Sequence, residues 1–341
     1  MIKVFDFFSG CGGTSCGFQQ AGMEISMGLD IDPDSAASFK LNFPKSEFFL
    51  GDIRDMSPEI LSPIIGKRET EILFCGCAPC QPFSTQNNNK DKKDPRRDLL
   101  SEFARFVQHW LPNYVFIENV PGLQNVKSKN GPFSKFLKLL TELGYSYSSE
   151  VVSAMSFGVP QTRKRLVLIA YKNGEASFPL PTHGPGINKY TTVRDAIAHL
   201  PPIQAGETHI DDPNHQAAEL SQINLLRITH TPEGGGRESW PKDLWLECHK
   251  NHNGHSDVYG RLAWDKLASG LTTRCISYSN GRFGHPEQNR ALSVRETALI
   301  QTFPNSYLFS GSLASRARQI GNAVPPAMSK TIGDHILSKA R

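Results

Sequence analysis

Three separated groups of residues carry the chemistry open to this chain. Cys80 sits in Gly76-Cys77-Ala78-Pro79-Cys80-Gln81-Pro82-Phe83-Ser84, just after the apolar run Ile72-Leu73-Phe74. Glu118 sits in Phe116-Ile117-Glu118-Asn119-Val120, and Arg163 and Arg165 in Gln161-Thr162-Arg163-Lys164-Arg165. A cysteine attacks only as its thiolate, a minor species at neutral pH, so Cys80 needs a polarising site or a ready electrophile. Glu118 at the tip of an apolar strand would be desolvated, which favours an acid able to donate a proton. The two arginines, two apart on a strand, are expected to point to one face, hydrogen-bonding a carbonyl oxygen and holding the acid. Nucleophile, proton donor and oxygen clamp suit one task. A thiolate adds to C6 of a pyrimidine, N3 is protonated, and C5 becomes an enamine-like carbon that can take a methyl group. A buried glutamate held by a structural arginine is the competing reading of the acid.

The elements that must position these groups alternate. Ile2–Phe8 reads as a strand running into Ser9-Gly10-Cys11-Gly12-Gly13-Thr14 and a helix ending near Ala21-Gly22. A strand from Ile25 ends on Asp30-Ile31-Asp32. A helical Ser35–Leu41, a short strand at Phe48–Leu50 and the strand before Cys80 follow. Leu99–Leu111 has helical period, Tyr114–Ile117 is a strand, and helix Ser134–Leu143 precedes strand Arg165–Ala170. Such alternation predicts an α/β fold, a doubly wound and mostly parallel sheet covered on both faces. Beyond Tyr171 proline and glycine become dense and periodicity fades. It returns near Arg290, with helices expected at Leu292–Gln301 and Met328–Leu337. The middle reads as an irregular second domain.

The turn Phe8–Gly13, followed by an acid at Asp30, is read as a nucleotide turn with a carboxylate for a ribose hydroxyl. A purely structural strand-to-helix turn remains its alternative. The third glycine falls early for a dinucleotide, which favours an adenosine-type cofactor without a pyrophosphate. Gly51-Asp52-Ile53 ends the third strand, where Asp52 can meet an adenine amino group. Cys75, Cys77 and Cys80, or Cys248-His249 with His252 and His255, offer zinc ligands. No nearby fourth ligand completes the first set, and no metal is expected.

The net charge of +4 says little about partners, because the excess is local: residues 290–341 hold 7 Lys/Arg against 2 Asp/Glu. A second basic run, Lys90-Asp91-Lys92-Lys93-Asp94-Pro95-Arg96-Arg97, is either a solvated loop or a lid that grips phosphates. Seven cysteines, an odd number in a long chain, point to a reducing compartment. No run approaches a membrane span and no signal peptide opens the chain. A cytoplasmic protein is expected.

Six blocks in order resemble the bacterial-type cytosine-5 DNA methyltransferases over nearly the whole chain: Phe8–Gly13, Pro79–Gln81, Glu118–Val120, Gln161–Arg165, Arg290–Pro304 and Gln319–Pro325. The resemblance implies a Rossmann-like class I methyltransferase domain with a smaller irregular target-recognition domain. The expected divisions are a catalytic domain at 1–180, recognition at 181–290, a hinge at 291–310 and a return at 311–341. It implies S-adenosyl-L-methionine as methyl donor, held by Phe8, Ser9, Gly10, Gly12, Gly13, Asp30, Ile31, Asp52, Ile53 and Asn322. It implies double-stranded DNA as substrate, with the target cytosine flipped from the stack and bound covalently through C6 to Cys80.

On that reading Ser84, Lys92, Arg96 and Arg97 meet phosphates from a closing loop. Arg237, Arg261, Arg274 and Arg282 are candidate guanine readers, each with a phosphate contact or a surface ion pair as its alternative. Two departures stand out. Cys77-Ala78 replaces the usual glycine-rich approach to Pro-Cys. Gly270-Leu271 replaces a Thr-Leu pair, leaving Thr272 or Thr273 to contact the target nucleotide. A nucleoid-associated monomer, either the modification enzyme of a restriction-modification system with an endonuclease of the same site or a solitary methyltransferase, completes the expectation. A tRNA cytosine-5 methyltransferase and a cysteine-dependent NAD dehydrogenase are the alternatives.

Overall fold

The apolar runs become the strands of one sheet, its central strands buried on both faces and its edge strands partly exposed. The computed structural model describes residues 1–67, 69–78, 98–121, 131–250 and 257–340. Strands β1 (Ile2–Phe7), β2 (Glu24–Asp30), β3 (Glu47–Leu50), β4 (Glu71–Gly76), β5 (Tyr114–Asn119), β6 (Ser146–Ser153) and β7 (Lys164–Tyr171) form a seven-stranded sheet. Their order is β3-β2-β1-β4-β5-β7-β6. The first five run parallel, and β7 is antiparallel to both β5 and β6. This is the doubly wound, mostly parallel α/β sheet expected. Helices α1 (Gly13–Gln20), α2 (Pro33–Asn42), α3 (Leu99–Trp110) and α4 (Pro132–Glu142) connect the strands, and a closing helix, Pro326–Lys339, packs on α1.

Alternation along β1 sets its two faces. Phe5 and Phe7 join Phe74, Phe103 and Phe106 in the main apolar cluster, with Phe7 edge-on to Phe103 at 5.2 Å and to Phe106 at 5.0 Å. Each such buried ring contributes roughly 1.5–3 kcal/mol relative to an exposed one. Asp6 lies on the opposite face, toward α1. There the helices meet at a small residue: a Cβ on Gly17 would lie 2.1 Å from Ser329 Oγ and 2.3 Å from the Pro326 carbonyl oxygen.

Two compact units emerge. The first comprises Met1–Ala154, Lys164–Pro181 and Val324–Arg341, and the second Met155–Arg163 and Thr182–Ala323. Residues 291–323, expected to form a hinge and the beginning of the return, belong to the second unit. Its small apolar cluster gathers Ile228, Trp240, Leu244, Tyr278 and Ala291. Helix Val294–Ile300 begins in a capping box, with Ser293 and Glu296 exchanging hydrogen bonds. Several elements escaped the sequence reading, among them one strand and one helix. Strand β6, Ser-Tyr-Ser-Ser-Glu-Val-Val-Ser, is a largely exposed edge strand with too few apolar residues to announce itself. Helix Leu313–Asn322 is polar along most of its length. Among the described residues no helix is long and apolar enough to cross a membrane.

Candidate active site

The carboxyl ends of β1, β2 and β3 lie side by side, and main-chain bonds knit the loops that leave them. Ser9 N–H donates to Leu29 O at 2.9 Å, and Gly51 N–H to Asp30 O at 3.0 Å. Asp30 is the hub. One of its oxygens accepts Gly10 N–H at 2.8 Å, the other Asp32 N–H at 2.9 Å. Burial raises its pKa above the ordinary carboxylate value, partly offset by those two donors. A carboxylate oxygen has two lone-pair sites, so each retains room for a hydroxyl.

The turn above bends through left-handed backbone at Gly10 (φ +53°) and Gly12 (φ +91°), which glycine adopts without steric penalty. A Cβ on Gly10 would meet nothing within 4 Å, so open space lies over the turn. Phe8 adopts φ +59°, an uncommon conformation for an aromatic residue and a strain of the kind found at functional sites. Ser9 is buried beneath, Gly13 opens α1, and Ile31 stands 66% exposed beside Asp30.

Asp52 caps the short turn Ile53–Asp55 by accepting from Arg54 N–H at 3.0 Å. The Arg54 guanidinium grips the same carboxylate and lowers its pKa. The Ile53 side chain is a core residue, 1% exposed, and its carbonyl accepts from the Arg105 guanidinium at 3.0 Å. A carboxylate hub, an exposed aliphatic neighbour and an open glycine turn suit a nucleoside-bearing ligand. Asn322 ends helix Leu313–Asn322 in the second unit.

At the other end of the row, Glu118 is the penultimate residue of β5 and is 7% exposed. Arg165 on β7 brings Nε to 2.7 Å from Glu118 Oε1. The contact is one of charge, since that oxygen accepts no aligned hydrogen bond among the described residues. Asn119 Nδ2 donates to Ala78 O at 3.3 Å, tying the tip of β5 to the chain as it leaves β4 toward Pro79 and Cys80. Burial drives the Cys77 thiol well above its ordinary pKa, with Glu118 and Asp6 adding to the rise. Cys80 itself, with Ser84, Lys92, Arg96 and Arg97, lies outside the described residues.

The expectation that Arg163 and Arg165 share a face needs correction. Arg163 lies between the two-residue strand Gln161–Thr162 and β7, is 4% exposed, and spends its guanidinium inside the second unit. It donates to Leu271 O at 2.9 Å, Gly321 O at 3.1 Å and Ala323 O at 3.3 Å. Gln161 helps it, accepting Leu271 N–H at 3.1 Å and donating to Gln301 Oε1 at 2.6 Å. The strand breaks at Arg163, so the period-two rule does not carry across it.

The candidate base readers divide as well. Arg261 is 3% exposed and donates to the carbonyls of Thr231, His285, Gln288 and Ile228, so its guanidinium is a structural hub and not a reader. Arg237 is also buried. Arg282 is held by Asp257 and the carbonyls of Gly234 and Gly235. Thr273 and Arg274 are exposed, while the Thr272 hydroxyl accepts Arg274 N–H at 3.3 Å. Among the described residues no group of three His, Cys, Asp or Glu is arranged to hold a metal ion.

The model of the C-5 cytosine-specific DNA methylases matches residues 2–338. The chain belongs to that family. It is accordingly an enzyme of the DNA (cytosine-5)-methyltransferase class. The Type II methylase M.HgiDII of Herpetosiphon aurantiacus is 41% identical over 98% of this chain and 94% of its own length. The Type II methyltransferase M1.HphI of Haemophilus parahaemolyticus is 34% identical over 98% and 87%. Among solved structures the S. pombe Dnmt2 methyltransferase shares the fold, with a TM-score of 0.68 at 20% identity and full coverage of both chains.

Sequence reasoning passed over two buried polar residues near the carboxyl ends of β5 and β1. One is Asn119, noted only as a neighbour of Glu118. The other is Asp6, a single carboxylate in the apolar run Ile2–Phe8, and that isolation was the signal.

Proposed function

We propose that this methylase transfers a methyl group to C5 of a flipped cytosine in a specific duplex DNA sequence, through a covalent bond between Cys80 and C6. The Glu118–Arg165 pair, set where Asn119 holds Ala78 two residues before Cys80, carries the reading. In this scheme the Cys80 thiolate adds to C6 and the electron pair moves toward N3, which takes a proton from Glu118. Arg165 keeps Glu118 in place and offers its remaining donors to the O2 carbonyl, as a planar guanidinium fork can. Arg163, engaged with main-chain carbonyls, positions the Leu271 segment. S-adenosyl-L-methionine, held by Phe8–Gly13, Asp30, Ile31 and Asp52, supplies the electrophilic methyl group. Loss of the C5 proton then expels the Cys80 sulfur and restores the aromatic ring, and Glu118 recovers its proton from N3.

Thr273 and Arg274, exposed in the second unit, face DNA in this reading, with the Ser84–Arg97 stretch gripping phosphates. The enzyme acts as a monomer in the cytoplasm, modifying the site that a partner endonuclease cleaves. The relatives named Type II methylases support that setting.

Incubation with a duplex carrying 5-fluorocytosine at the target tests the mechanism, because fluorine at C5 cannot leave as a proton does. A permanent adduct on the native protein, absent from Cys80→Ser, is expected. Methyl transfer to tRNA in preference to unmethylated plasmid, or turnover by Cys80→Ser at near-native rate, would overturn it.

A further inference from the structure

Asp6 is a buried acid that the transfer chemistry above leaves unused. It lies near the carboxyl end of the central strand, paired in register with Gly28 on β2 and Cys75 on β4, directly before the glycine turn. It is 0% exposed. Ser15 Oγ donates to Oδ2 at 2.6 Å and the Ser15 main-chain N–H adds a second bond, so Asp6 caps α1 from below, where Gly12 offers no side chain. Oδ1 is different: it is buried and has no partner among the described residues. A buried polar atom without a partner requires an explanation.

The titratable groups that face Asp6 are themselves acids: Cys11 from the turn, Asp30 from β2, Cys75 from β4 and Cys77 just beyond it. Burial holds the three thiols protonated. Burial also carries Asp6 to about 7, against the pull of Ser15. A fully buried acid with an orphan oxygen, directly before the glycine turn, is placed to compensate a positive charge bound there. Resting on the cofactor assignment above, the chemistry of the ligand supplies one, since a sulfonium methyl donor is cationic at sulfur and its thioether product is not.

We propose that Asp6 is the proton-linked counter-charge of the methyl-donor site, releasing its proton to solvent when the sulfonium binds and regaining one when only the neutral thioether remains. Asp6 forms no bond to the transferred group. It makes the site favour donor over product, and makes that preference depend on pH. Below neutrality the ionised fraction of Asp6 falls about tenfold per pH unit, and donor affinity falls with it. Product affinity stays flat.

Calorimetric titration of the full-length protein, in buffers of different ionisation enthalpy near pH 7, counts the protons. S-adenosylmethionine should release about half a proton, as expected for a group half ionised at that pH, and S-adenosylhomocysteine almost none. Asp6→Asn, which retains an oxygen for Ser15, should abolish the release and narrow the preference for donor over product. Ser15→Ala removes a donor from the carboxylate. It should shift the pH midpoint of donor binding upward while leaving product binding unchanged, which a merely structural hydroxyl would not do. Equal proton release with both ligands, release that persists in Asp6→Asn and so belongs to Asp30, or an unmoved midpoint in Ser15→Ala would overturn the proposal. Donor binding without linkage would refute the role of Asp6 alone. Failure of either ligand to bind would overturn the cofactor assignment together with it.

Discussion

Replacing Gly17 by alanine separates helix propensity from packing in a way the structure makes quantitative. In an isolated helix the change favours alanine by roughly 1 kcal/mol. Here the new Cβ would lie 2.1 Å from Ser329 Oγ, 2.3 Å from Pro326 O and 2.6 Å from Lys330 N, all inside the contact limit. The hydroxyl can rotate away, but the two main-chain atoms belong to the first turn of the closing helix and move only if that helix moves. Overpacking of this kind costs roughly 1–3 kcal/mol, and main-chain obstruction puts it at the upper end. The net expectation is a loss of about 2 kcal/mol. Urea unfolding followed by circular dichroism should show a lower midpoint at unchanged slope. Adding Ser329→Ala should not rescue the variant, because Pro326 O and Lys330 N remain. A stability equal to or above that of the native protein, or full rescue by Ser329→Ala, would refute the reasoning. Because α1 begins at Gly13, the variant should also weaken donor binding.

Glu118→Gln retains shape but cannot deliver a proton to N3. Transfer of a tritiated methyl group should slow by roughly 10²–10⁴-fold with donor binding intact, and an unchanged rate would exclude the acid role. His285 is buried and its pKa is pushed down to about 4, with Nδ1 accepting the N–H groups of Glu287 and Gln288. A base depressed on folding contributes stability that is present above pH 6.5 and lost as pH falls toward 4, here up to about 3 kcal/mol. The unfolding midpoint of His285→Gln should therefore vary less over that range than the native midpoint does. Arg261→Ala strands several buried carbonyls and should cost at least about 3 kcal/mol without changing the modified sequence read by bisulfite sequencing. Arg274→Ala should preserve stability and raise KM for DNA.

Much of the first unit was legible because local patterns and global packing agree there. Apolar runs too short for helices, each followed by a helical period, imply a parallel sheet. The residues at strand ends, Phe8–Gly13, Asp30, Asp52 and Glu118, then fall at the carboxyl edge as a consequence of topology. What the chain order left open was the use made of each polar group. Arg163 and Arg165 are chemically alike and two apart, yet one feeds main-chain carbonyls and the other faces Glu118, because the strand is interrupted between them. Arg261 resembles a base reader until its carbonyl partners, up to 33 residues away in sequence, are in place. Residue type and spacing set the doubly wound, mostly parallel sheet and the chemistry within reach. Long-range hydrogen bonding and burial, which no local pattern encodes, decided which arginines hold the scaffold and left one oxygen of Asp6 without a partner among the described residues.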